Sequence, residues 1–286
     1  MRPQPFSPAV RAQPHASLYL VEIAGDSRAR GRQHGRLLRE PIERAMAFYR
    51  DFFRIHLQMT PAEMRQRASR YLQPTAAMSP ALMQEIEGIA DGAEQKLEDI
   101  MALAARYEIT FEKVKLGECS NVFVGPQRAA DGQPILGMNW DWRPEVMDFR
   151  AVITARCDDM LDHIVVTECG QPGKYGLNAA GVAAIETGLA CSQPHSVGRQ
   201  LFALVIRNAL AQTTLDSARS AIREHPPEAT ISFFLADDAG RVCNIEATPN
   251  GLAERGWAPT SQGPTRVGSP PRVERVQPSP GCRRSP

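Results

Sequence analysis

The sequence predicts an α+β protein, on three observations. Between Ala29 and Ile109, apolar residues recur three and four positions apart, the period of helices with one buried face. After Cys119 the texture changes to short runs rich in Val and Ile, each bounded by turn residues. Two more helical patterns, over 199–211 and 215–224, precede a hairpin pattern rather than alternating with single strands. Helices and antiparallel strands in separate blocks imply sheets layered with helices.

The elements follow in order. Ser17–Ile23 is a short apolar run stopped by Gly25 and predicts a strand. Leu37, Leu38, Ile42, Ala45, Met46, Tyr49, Phe52 and Phe53 lie on one helical stripe, predicting a helix from Ala29 to about His56. Thr60-Pro61-Ala62-Glu63 is a capping box with proline at the first helical position, and a helix to about Tyr71 follows from it. Ser79-Pro80 repeats the signal before the stripe Leu82, Ile86, Ile89, Ala90 and Ala93. Leu97 opens another helix reaching about Tyr107.

Beyond Cys119, strands are predicted at Val122–Val124, Ile135–Met138, Ala151–Ala155, Ile164–Thr167 and Val182–Ile185. Turns separate them at Asp131-Gly132, at Gln171-Pro172-Gly173 and at Asn178 with Gly181. Arg199–Ala211 is a helix, and Thr214 caps a second over Leu215–Glu224. Thr230–Ala236 and Val242–Ala247 flank Asp237-Asp238-Ala239-Gly240 as a hairpin. From about Glu254, Pro alternates with Arg, Ser and Gly without any period, a composition that reads as disordered.

A formal charge of +1 over 286 residues, with a sequence pI near 7.7, gives no pull toward nucleic acid or an anionic membrane. No apolar run approaches a membrane span. Residues 1–16 contain Arg and Pro but no apolar stretch, and read as a loose leader rather than a secretory signal. The six cysteines, Cys119, Cys157, Cys169, Cys191, Cys243 and Cys282, form no CxxC pair and suggest reduced thiols in a cytoplasm. There is no HExxH, GxSxG, Walker loop or GxGxxG, which argues against metallopeptidase, serine hydrolase and nucleotide-binding readings.

The seam at Cys119 carries the chemistry. A cysteine nucleophile needs a base or a depressed pKa. An N-terminal cysteine has its own α-amine for this, with a reference pKa of about 7.7–8.0. Cleavage of the Glu118–Cys119 bond, by attack of the thiol on the Glu118 carbonyl, would create that amine. Other roles stay open: Cys119 as a small buried hydrophobe, or as half of a Cys/His pair with His34 acting without cleavage. His163 and His195 show no partner pattern.

Several motifs resemble the acyl-coenzyme A:6-aminopenicillanic acid acyltransferase (isopenicillin-N acyltransferase) family of self-processing cysteine peptidases, within the N-terminal nucleophile hydrolases. They are Gly117-Glu118-Cys119-Ser120, Gly137-Met138-Asn139-Trp140-Asp141-Trp142 and the segment from Gly173-Lys174-Tyr175 to Gly181-Val182. Gly31-Arg32-Gln33-His34-Gly35 and Ile245-Glu246-Ala247-Thr248-Pro249 add weaker support. The resemblance implies a four-layer αββα sandwich, cleavage before Cys119, and chemistry on amide or thioester acyl groups through a Cys119 thioester. It implies that Asp141 orients the cysteine's α-amine, as a carboxylate bonds an ammonium. No metal or organic cofactor is required, and coenzyme A thioesters enter as acyl donors. The partners expected are small-molecule amides or acyl thioesters.

On this reading 17–118 is a helical pro-segment, 119–253 the nucleophile-bearing core, and 254–286 a Pro/Arg-rich tail. Asn139, Trp140 and Asn178 are candidates for substrate binding, with plainer roles available to each. Asn139 and Asn178 are turn residues by type, and Trp140 packs as readily as it binds. Two departures stand out. Glu118 occupies a position often held by glycine. The family's later His-Thr-Asn-His type segment, whose asparagine helps form the oxyanion hole, has no counterpart after Ile245. The expectation is therefore a truncated or frame-shifted family member, with a C-terminally incomplete sandwich and, as the alternative function, no turnover.

Overall fold

A computed structural model of the chain describes residues 9–12, 18–111, 119–191, 199–248, 251–257 and 282–283. The N-terminal third is helical: α1 (Ser27–Leu37), α2 (Arg39–Leu57), α3 (Pro61–Ser69), α4 (Leu72–Met78), α5 (Pro80–Ala93), α6 (Leu97–Ala104) and α7 (Arg106–Phe111). The caps read from sequence are present. Thr60 and Glu63 form a reciprocal capping box, and the Ser79 side chain accepts from Leu82 N at 3.3 Å. The single helix expected from Ala29 to His56 is instead two, broken at Leu38 (φ −114°, ψ 23°). The break frees α1 to lie on α5 while α2 packs on α6 and a 3₁₀ turn at Pro144–Phe149.

Glycines allow the approach of α1 to α5. Gly31 and Gly35 on α1 face Gly88 and Gly92 on α5, and a Cβ at Gly31 would overlap the Glu85 carbonyl oxygen. At Gly35 it would stand 2.6 Å from Ala93 N. Neither helix can step back, because both carry fully buried side chains such as Arg30, His34 and Ile89. Gly35→Ala is therefore expected to lower stability by about 1–3 kcal/mol, read as a lower urea midpoint with an unchanged slope.

Strands dominate the rest: β1 (Ala9–Ala12), β2 (Leu18–Gly25), β3 (Ser120–Val124), β4 (Ile135–Asn139), β5 (Arg150–Cys157), β6 (His163–Glu168), β7 (Tyr175–Asn178), β8 (Ala183–Gly188), β9 (Ala190–Cys191), β10 (Ile231–Ala236), β11 (Val242–Thr248), β12 (Gly251–Trp257) and β13 (Cys282–Arg283). Two helices, α8 (Phe202–Ala209) and α9 (Leu215–Glu224), lie between β9 and β10. A nine-stranded sheet runs in the order β1-β2-β5-β6-β7-β8-β10-β11-β12. All its pairs are antiparallel except β2 with β5: the antiparallel pattern read for the strands after Cys119 holds among them, and the strand read at Ser17–Ile23 joins the sheet in parallel.

Both ends of the expected domain map shift. β1 lies inside the span read as a loose leader and pairs with β2. β12 runs through the boundary placed at 254 and pairs with β11 from Gly251↔Thr248 to Trp257↔Val242. Glu254 is held there by ion pairs from Arg219 and Arg223 on α9, so a residue that looked like the start of a polar tail anchors a strand to a helix. β13 pairs with β9 at two positions.

One face of the large sheet buries Ile153, Val165, Phe233 and Ile245, each at 2% exposure or less, in the helical core. The opposite face carries β3 and β4, a separate two-stranded hairpin with Ser120↔Asn139 to Val124↔Ile135 in register. Hairpin and sheet enclose an apolar cleft of about 710 Å³, lined by Phe123, Leu136, Met138 and Trp140 against Val166 and Ile185. Ile164 (42% exposed) and Leu177 (45%) also line this cleft and are its open part. No helix among the described residues is long and apolar enough to cross a membrane.

Charges are also buried in the helical core. Glu85 of α5 stands 3.6 Å from Arg30 and 3.4 Å from Arg207, and Arg30 also bonds Asp159 at 2.7 Å. His34 is fully buried, and its Nε2 accepts from Gly170 N at 3.1 Å. Burial pushes its pKa down to about 4, and burial together with Arg207 takes His163 down to about 3. Both rings are neutral when folded and gain protons near pH 6.5 when unfolded. Their contribution is thus complete above about pH 6.5 and is lost as pH falls toward about 4 for His34 and about 3 for His163. For His34 the loss is on the order of 3 kcal/mol. Urea midpoints should fall over that window, and less steeply in His34→Gln.

Candidate active site

Cys119 stands at the head of β3, half-buried, with a free thiol. Its hairpin register places it one step beyond the Ser120↔Asn139 pair, across from Trp140. Burial and then Glu186 push the thiol's pKa up, while a backbone hydrogen bond from Asp141 and the Lys174 ammonium pull it down. The sulfur therefore sits between opposing charges, across the hairpin from Trp140, which lines the apolar cleft.

The Asn139–Trp142 segment is clamped on both flanks. On one side Trp142 Nε1 donates to the Tyr49 hydroxyl at 3.1 Å, and that hydroxyl donates to Glu168 Oε2 at 2.6 Å. Arg106 Nε reaches the two Glu168 oxygens at 2.8 and 2.9 Å, and its guanidinium lies 5.5 Å from the Trp142 ring centroid. On the other side Trp140 meets Tyr175 edge-on at 5.7 Å, and Lys174 Nζ stands 4.2 Å from the Trp140 centroid. Asp141, between the two tryptophans, is exposed, and its negative charge opposes a thiolate on Cys119.

Of the residues singled out from sequence, Cys119, Asn139, Trp140 and Asp141 come together at this end of the hairpin. Asn139 Nδ2 donates across the ladder to Ser120 Oγ at 3.2 Å. Glu118, on the other side of the proposed scissile bond, lies outside the described residues. Asn178 is corrected. It is buried, its Nδ2 donates to Leu210 O and Gln212 O at 2.9 and 2.7 Å, and its Oδ1 accepts from Ala180 and Val182 N–H groups at 3.0 Å. All its polar capacity goes to joining β7, its turn and α8, so it is no substrate ligand. The left-handed positions in that segment are Gly173 (φ 146°) and Gly181 (φ 81°), not Asn178 or Gly176. His34, the imagined partner in a Cys/His pair, instead receives a hydrogen bond from the Gly170 backbone and does not act on the thiol.

Lys174, Tyr175, Glu186, Arg106 and Glu168 surround the site without having been marked as functional. Lys174 and Tyr175 lie within a quoted motif, where a lysine between glycines and apolar residues was the available signal. Arg106 and Glu168 left none, because their 62-residue separation hides the pairing.

Fold and site thus define a mixed α+β protein with a free cysteine heading a hairpin over an apolar cleft. Residues 128–256 match the family model described as acyl-coenzyme A:6-aminopenicillanic acid acyl-transferase. The chain is 27% identical over 227 residues to the 40 kDa form of acyl-coenzyme A:6-aminopenicillanic-acid-acyltransferase from Emericella nidulans, covering 79% of this chain and 62% of that protein. The chain is similar to that acyltransferase family over these residues, as its motifs indicated, and spans under two thirds of the length of this curated member. Among solved structures, penicillin V acylase from Agrobacterium tumefaciens aligns over 34% of this chain and 33% of its own, at 20% identity and a TM-score of 0.29. An arginine-to-leucine variant of conjugated bile acid hydrolase from Clostridium perfringens aligns over 49% and 43%, at 15% identity and a TM-score of 0.23. Both superpositions are too partial to define a shared fold.

Proposed function

We propose that this chain is a self-processing cysteine amidohydrolase or acyltransferase of the N-terminal-nucleophile type, acting on amide or thioester acyl groups. The observation that carries this is a free, half-buried Cys119 thiol at the head of β3, facing the clamped Asn139–Trp142 segment whose Trp140 lines an apolar cleft. In this reading the thiol attacks the Glu118 carbonyl, and the acyl group migrates from nitrogen to sulfur. Water then releases Glu118 as a carboxylate and leaves Cys119 with a free α-amine. In turnover that amine takes the thiol proton, the sulfur attacks the acyl donor, and the proton passes to the leaving group. Water or an amine then resolves the thioester. Asp141 orients the α-amine. A coenzyme A thioester serves as donor and an amine of the aminopenicillanic type as acceptor, by kinship with the relative named above. The β3–β4 hairpin, packed on the face of the large sheet opposite the helices, supports an αββα sandwich.

Incubating the purified chain with an acyl-coenzyme A and recording intact and fragment masses tests this. A polypeptide starting at Cys119, gaining one acyl mass that hydroxylamine removes, is the expected result. An intact chain that never acquires the acyl group rules the reading out. The open apolar face at Ile164 and Leu177 favours a second reading, a scaffold without turnover, and an uncut and inert but folded chain is its signature.

A further inference from the structure

Lys174 is buried where an apolar side chain would be cheaper. It is 3% exposed, and its ammonium is ringed by Trp140, Tyr175 and Phe202, with centroids at 4.2, 4.7 and 5.5 Å. Its carboxylate partner, Glu186 Oε1, stands 3.8 Å away, longer than a hydrogen bond, and accepts instead from the Tyr175 hydroxyl at 2.8 Å. Burying an ammonium with so distant an anion costs several kcal/mol by general estimates, whereas a leucine or methionine would fill the same cage. Glu186 meets the ammonium only at that longer distance, which leaves the charge available to a second anion forming nearby. The hairpin register supplies the candidate, since Cys119 stands across from the tryptophan that carries the ammonium.

We propose that Lys174 is the positioning cation of the nucleophile: held against Trp140, its ammonium stabilises the Cys119 thiolate and so sets the pH at which the sulfur becomes reactive. This rests on reading Cys119 as the nucleophile but does not depend on cleavage of the chain. The step is an ionisation. The S–H bond breaks with its electron pair left on sulfur, the proton goes to water (in a processed chain, to the α-amine), and Lys174 keeps its three N–H bonds.

The charged groups facing the pair come from several elements. Glu186 on β8 opposes the thiolate and supports the ammonium. Arg106 on α7 opposes the ammonium, and Glu168 on β6 supports it. Asp141 opposes the thiolate by charge, although its backbone bonds the sulfur. Tyr107 and Tyr175 are held neutral, first by burial and then by Glu186. Burial and Arg106 bring Lys174 down to about 8, and the thiolate itself supports its charge. Thiol and ammonium therefore titrate as a pair, and the first proton lost leaves the zwitterion partly populated.

The test is the rate of Cys119 alkylation by iodoacetamide, followed peptide by peptide from about pH 6 to about pH 10, in the full chain and in Lys174→Met and Lys174→Arg. Lys174→Met should move the half-maximal rate upward by about one pH unit or more and slow labelling about tenfold near neutrality. Lys174→Arg, a permanent cation, should label at or below the wild-type midpoint. A folded Lys174→Met with the wild-type profile overturns the proposal. If that variant does not fold, Lys174→Arg decides, and an upward-shifted midpoint there overturns it. An uncut wild-type chain would remove the self-processing reading and leave this measurement standing.

Discussion

A Cys119→Ala chain is expected to remain a single polypeptide and to form no acyl adduct, while unfolding at nearly the wild-type denaturant concentration. The first two effects are all-or-none, because the proposed cleavage and acyl transfer both start at one sulfur. Alanine removes the attacking atom, and the neighbouring Ser120 hydroxyl is a far weaker nucleophile than a thiolate. The small stability change follows from position: Cys119 is half-buried at a strand end, outside the fully packed core. Intact mass and urea titration of the two proteins are the measurements. Cleavage persisting in the alanine chain at the same bond would assign the cut to a contaminating protease and end the self-processing account.

Glu168→Ala should be the most destabilising of the substitutions considered, at about 3–5 kcal/mol. Glu168 and Arg106 each have about 1% of their side-chain surface exposed, and the carboxylate accepts from both Arg106 and Tyr49. Removing it strands a guanidinium in the interior and frees the Tyr49 hydroxyl that holds Trp142. Two readouts should move together: a large fall in the urea midpoint, and a red-shifted tryptophan emission as Trp142 loosens before global unfolding. Removing both partners in Arg106→Met/Glu168→Leu should recover much of the stability, because the uncompensated charge disappears with its mate. If the double variant is as unstable as the single one, packing rather than charge dominates at this site.

The parts of this fold legible in advance are those set by neighbours in the chain. Thr60 and Glu63, or Ser79 and Leu82, meet within one turn of helix, so their sequence alone announces the cap. The Asp237–Gly240 turn is read in the same way, from residues that carry their own backbone preferences. The break at Leu38 and the parallel pairing of β2 with β5 were not legible, since each answers to a partner far along the chain. β12 was hidden because Glu254 looks like a polar tail residue until α9 supplies its two arginines.

The sequence by itself determined the class of elements and their order, and it pointed to Cys119 beside Asn139-Trp140-Asp141-Trp142 as the candidate site. It could do so because periodicity, caps and a reactive residue type are local properties. Tertiary structure alone decided what surrounds that sulfur: Lys174 in its aromatic cage, Glu186 behind it, and Arg106 with Glu168 beneath Trp142. It also turned Asn178 from a candidate ligand into a structural joint. The reason is physical: the energy of a charge depends on its burial and on its opposing charges, and both are set by segments tens of residues apart that meet only when the sheet has formed.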